Sequence, residues 1–86
     1  MTVDEVKLFN LIDQQTAQHG YGVCKIRQSA DGSFYRIELS SSDGKRDKSL
    51  IVFREAAEQT IRENRLTFGI QQNIASELGG ENSGTR

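Results

Sequence analysis

His19 and Cys24 are the single histidine and the single cysteine of the chain, and nucleophilic chemistry would have to be built from them. A cysteine attacks as its thiolate, which a neighbouring imidazole generates by taking the proton. Their surroundings argue for packing instead. His19 closes a run of apolar positions at helical spacing, and Cys24 shares the apolar side of an alternating segment with Ile26, as a small hydrophobe does. One cysteine and one histidine cannot furnish the ligand set of a zinc site. Ser42-Asp43-Gly44-Lys45 fits the Ser-x-x-Lys pattern, but it falls on a turn signal between strands instead of on a helix. Neither a Gly-x-Gly-x-x-Gly nor a Walker loop is present. No enzymatic activity, cofactor or metal is therefore expected.

Charge is the more informative chemistry. The 86 residues carry 11 Lys+Arg against 12 Asp+Glu, a net charge of −1. That balance excludes a uniformly basic nucleic-acid coat protein and an acidic tail protein. The partition along the chain is uneven. Residues 1–20 hold Lys7 against Asp4, Glu5 and Asp13, and residues 55–86 hold three arginines against five glutamates, so each segment is −2. Between them Lys25, Arg27, Arg36, Lys45, Arg46, Lys48 and Arg54 outweigh Asp31, Glu38, Asp43 and Asp47, giving +3. A lone cysteine supports no disulfide framework. No apolar leader follows Met1, and no run approaches the roughly 20 apolar residues that span a bilayer, so a cytoplasmic protein without membrane contact is expected.

The elements that must position these charges follow from periodicity. Thr2-Val3-Asp4-Glu5 reads as a capping box, with Met1 and Val6 as a hydrophobic staple. Leu8, Leu11, Ile12, Gln15 and His19 then mark one face of a helix that Gly20 ends. The period changes to two over Tyr21–Ser29 and Ser33–Ser40, which flank the hairpin signal Asp31-Gly32. With Asp31 and Gly32 central, Ile26 lies opposite Ile37, Cys24 opposite Leu39 and Gln28 opposite Tyr35. The other face then pairs Lys25 with Glu38 and Arg27 with Arg36.

Asp43-Gly44 precedes a third strand from Lys48 to Phe53. Its register stays open: one turn length sends Leu50 and Val52 to the core, another Ile51 and Phe53. Arg54–Asn64 reads as a helix with glutamates near its start. Leu66, Ile70, Ile74 and Leu78 suit a helical extension that Gly69 breaks or bends. The expected fold is a single small α+β domain over residues 1–78, with a disordered tail over 79–86. It is a three-stranded antiparallel meander flanked by an N-terminal helix and a C-terminal helix with its extension, in the order α-β-β-β-α.

Two candidate surfaces emerge. Lys25, Arg27, Phe34 and Arg36 share the sheet face away from Ile26, and Lys45, Arg46 and Lys48 would extend it. Like charges opposed across strands are destabilising, so the Arg27–Arg36 pair suits an anionic partner. Cations around an aromatic are also what sheets use to hold phosphates and stack bases. The plainer reading is a solvated face on which Lys25 pairs with Glu38. The second surface is the Leu66-Ile70-Ile74-Leu78 stripe, which either docks on its own sheet or meets a second copy of the chain. Apolar residues on both sheet faces imply a cover over the second face, by the C-terminal helix or by another chain.

The stretch Asp31–Leu39, then Asp43–Arg46, then Val52-Phe53 leading to Glu55-Ala56-Ala57, resembles arm-type DNA-binding domains of phage integrases over about half the chain. That resemblance implies a sheet laid in the major groove, although here an amphipathic helix precedes the sheet. The element order is also similar to that of double-stranded-RNA-binding domains. Arg54-Glu55-Ala56-Ala57-Glu58 stands where those carry a lysine-rich helix start. The expected function is a non-catalytic binding module whose basic sheet face contacts nucleic acid or another polyanion, such as an acidic protein surface. The alternative is a protein-interaction or inhibitor module, homodimeric through the C-terminal helix.

Overall fold

A computed structural model describes residues 3–79, with side chains from Glu5 onward. The capping box and staple at the first residues, and the tail beyond Gly79, lie outside the described residues. Helix α1 (Val3–Ala17) leads into strands β1 (Tyr21–Gln28), β2 (Phe34–Ser41) and β3 (Asp47–Phe53). Helices α2 (Arg54–Glu63) and α3 (Phe68–Ile74) follow, and α3 widens into a π-helical turn over Ala75–Gly79. The strands form one antiparallel sheet in the order β1-β2-β3, so the fold is the expected small α+β arrangement with one further helix. Gly79, read from the sequence as the start of the tail, closes that last helical turn.

Both hairpins turn by the same device. Ser29 N–H donates to the Phe34 carbonyl at 2.9 Å, and Ser41 N–H to the Arg46 carbonyl at 2.8 Å, so each loop holds four residues. Asp31 Oδ1 accepts from the Ser29 hydroxyl, the Ser33 hydroxyl and the Ser33 N–H at 2.8, 2.7 and 3.0 Å. Asp43 likewise takes the Ser41 hydroxyl and the Lys45 N–H. Gly32 and Gly44 follow at φ +76° and +74°, where a side chain would be strained.

The register about Asp31-Gly32 is the expected one from Lys25↔Glu38 through Gln28↔Tyr35, with Ile26↔Ile37 and Arg27↔Arg36 between. It then slips. A bulge between Val23 and Lys25 pairs Val23, not Cys24, with Leu39. The second hairpin pairs Ile37 with Leu50 and Tyr35 with Val52, which settles the open register in favour of Leu50 and Val52 inward.

One core follows. Leu8 and Ile12 of α1, Ile37, Leu39, Leu50 and Val52 of the sheet, Ala57 of α2 and Ile70 and Ile74 of α3 are all buried in it, with Leu66 and Leu78. The buried stripe of α1 runs through Leu8, Ile12 and Thr16, whereas Gln15 and His19 are only half-buried. Thr16 tolerates this because its hydroxyl donates to the Asp13 carbonyl at 3.2 Å.

Between α2 and α3 the chain turns through Asn64, a non-glycine residue at φ 59°, whose left-handed backbone ends α2. Thr67 then caps α3, its Oγ1 accepting from Ile70 N–H at 3.2 Å. The break therefore lies at residues 64–67, and Gly69, expected to bend the extension, sits inside α3. Because Leu66, Ile70, Ile74 and Leu78 fill the core, the stripe docks on its own sheet and is not available as a surface for a second copy.

Candidate functional site

All three helices cover the face of the sheet that carries Ile37, Leu39, Leu50 and Val52, so among the described residues no helix covers the opposite face. Strand alternation orders that open face in rows. Phe34 of β2 lies opposite Phe53 of β3. The next row holds Arg27, Arg36 and Ile51, and the one after it Lys25, Glu38 and Ser49. Asp47 lies opposite Ser40 at the far end. Aromatics thus occupy one end, cations the middle, and carboxylates the other end.

Each position has a local cause. Phe34 and Phe53 face each other because the strand pairing leaves them one step outside the Tyr35–Val52 core pair. Phe53 is 66 % exposed and Ile51 42 %, unlike the buried Leu50 and Val52 between them. Phe53 is also the N-cap of α2, with extended backbone and no side-chain cap, so β3 runs straight into the helix. Arg54 N–H donates to the Ser33 carbonyl at 2.9 Å, which ties this corner to the first turn and sets another exposed cation beside Phe53.

The cations differ in how they are engaged. Arg27 Nε donates to Glu38 Oε2 at 2.9 Å, a diagonal pair in place of the expected Lys25–Glu38 pair. With both partners exposed, such a pair contributes less than about 1 kcal/mol. Arg36, directly opposite Arg27, has no carboxylate partner among the described residues. Lys45 and Arg46 lie exposed at the second hairpin tip. Lys48 is paired with Leu39, so alternation directs it toward the helix side, while it still borders the hollow beside Arg36 and Glu38.

Cys24 does not pack in the core as expected. The bulge turns it out beside Lys25, where it is exposed and lines a shallow hollow of about 270 Å³ with Arg36, Glu38 and Ser49. The signal for this was present in the sequence. Apolar residues fall at odd positions 21 and 23 and then at even position 26, a change of phase that only an inserted residue allows. His19 lies elsewhere: a side chain at Gly79 would meet its Cε1 at 3.8 Å. The structure does not bring His19 and Cys24 together.

Sequence reasoning missed Ile51, Phe53 and Arg54 as parts of the face, because the β3 register was open. Among the described residues no three His, Cys, Asp or Glu side chains converge as metal ligands would, and no helix is long and apolar enough to cross a membrane. No family model, curated protein or solved structure matches the chain.

Proposed function

We propose that the protein is a binding module whose open sheet face takes nucleic acid. The observation that supports this most is the central row. Arg27 and Arg36 are held side by side across two strands, one of them without a carboxylate, on a face that no part of the described chain covers. Opposed like charges cost stability that the Arg27–Glu38 pair offsets only in part, whereas a phosphate between them turns the repulsion into attraction. Phe34 and Phe53 in the adjoining row give that face an apolar surface that phosphate alone would not need.

The test is fluorescence anisotropy with a labelled oligonucleotide, single-stranded and as its duplex, across a salt series. The logarithm of the affinity is expected to fall linearly with the logarithm of salt. Lys25→Ala and Arg36→Ala, both at exposed positions, should each lower that slope by about 1. Absence of binding to either form at low salt, or binding indifferent to both substitutions, would overturn the proposal.

A second reading, a protein partner seated on the same face, draws on the exposure of Ile51 and Phe53. It takes the place of the homodimer expected through the C-terminal stripe. A chain that ignores nucleic acid and sediments as a concentration-dependent dimer would favour this reading over the first.

A further inference from the structure

Resting on that reading, we infer that the nucleic acid on the open face is single-stranded, with an unpaired base stacked on Phe53 and its phosphates beside Arg36 and Arg54. Three features carry the inference. The first is the number of cations. A protein that makes about 6–10 phosphate contacts on a duplex needs cations spread along that many phosphates. Next to the aromatic row stand Lys25, Arg27, Arg36 and the flanking Arg54, with Glu38 already engaging Arg27, whereas Lys45 and Arg46 lie apart at the second hairpin tip. Asp47 stands between that group and the hairpin tip and would repel a duplex backbone laid across the whole face, while a single strand can follow the cationic and aromatic end alone.

The second feature is the aromatic row. A duplex hides its base faces and shows the groove-reader polar edges, with the thymine methyl as the main apolar contact. A Phe53 ring that is 66 % exposed would desolvate those edges without bonding to them. An unpaired base presents its whole π-face, and stacking on an aromatic tolerates any base. The third feature is spacing. Arg36 is opposite Ile51 and so diagonal to Phe53, about 7–8 Å away, a distance that lets an arginine reach the phosphates of a base stacked on the ring. Arg54 follows Phe53 directly.

The experiment compares oligothymidylate and oligouridylate with a duplex of equal length, using the full chain and three variants of Phe53. The single strand should bind more tightly than the duplex at equal salt, and tight binding of either sugar supports the inference. Phe53→Ala should weaken single-strand binding about 5- to 100-fold and leave duplex binding unchanged. Phe53→Leu, which keeps the apolar bulk and loses the π-face, should bind as weakly as the alanine variant. Phe53→Trp places the only tryptophan of the chain at the site, and its emission should be quenched by the oligonucleotide. Thermal melting checks that each variant is folded, as the exposure of Phe53 leads one to expect. A duplex bound as tightly as the single strand, with Phe53→Ala silent, overturns this inference and leaves the electrostatic reading standing. Failure of every nucleic acid to bind overturns both.

Discussion

Asp31 shows how much one carboxylate can organise on an exposed turn. The Ser33 hydroxyl, the Ser33 N–H and the Ser29 hydroxyl all donate to it, and together they hold its pKa down from 3.8 to about 2. Asp43 is lowered in the same way, first by the Ser41 hydroxyl and then by the Lys45 N–H. A group that titrates lower in the folded chain than in the unfolded one stabilises the fold fully above its unfolded pKa. For Asp31 that contribution is lost as pH falls from 3.8 toward 2. Asp31→Ala should therefore lower the melting temperature at neutral pH, with the gap to the parent closing across that window. A gap that stays constant with pH would mean that the charge is not what holds the turn. Cys24 gives a second test at this scale. Turned out by the bulge, its thiol should react with a disulfide reagent in the native state, and Cys24→Ser should change stability by less than about 0.5 kcal/mol. A thiol protected until unfolding would contradict the bulge.

At the scale of elements, what could be read in advance depended on whether the pattern allowed one phase. In β2, Tyr35, Ile37 and Leu39 alternate cleanly, so its inward face and its pairing with Ile26 were legible. In β3, Leu50 and Val52 compete with Ile51 and Phe53, and only the four-residue turn at Asp43-Gly44 decides between them. The break before α3 was misplaced because Gly69 is a conspicuous helix breaker, whereas the actual stop comes from an asparagine in a left-handed conformation and a threonine cap. Gly69 has no positive φ, and the nearest atom to an added Cβ is Thr67 Oγ1 at 4.0 Å. Gly69→Ala should raise stability by about 0.5–1 kcal/mol in denaturant titration. A loss would restore the hinge. Thr67→Ala removes the cap and should cost about 1 kcal/mol in the same assay.

For the molecule as a whole, the net charge of −1 concealed the arrangement that matters, since the open sheet face collects cations and the helices collect acids. Which face the helices would take was not legible, because apolar residues stood on both. The deciding quantity is core area: Leu66, Ile70, Ile74 and Leu78 join Ile37 and Leu50 in one buried cluster, whereas the other face would set them against arginines. Ile74→Ala should accordingly cost about 2–4 kcal/mol in denaturant titration, a large part of what a domain this small possesses. Phe53→Ala, on the open side, should leave the denaturation midpoint nearly unmoved.

The margins of the sheet carry their own consequence. Asp13 of α1 accepts the Val23 N–H of β1 at 2.9 Å, and Asn73 of α3 donates to the Ile51 carbonyl of β3 at 3.1 Å. A strand from a neighbouring chain would have to displace a helix side chain on either flank, and on β1 it would also meet the bulge. Each edge of the sheet thus carries one backbone group already taken by a helix. Edge-to-edge pairing of copies would cost one such bond at each margin, whereas a visitor to the flat side leaves both in place.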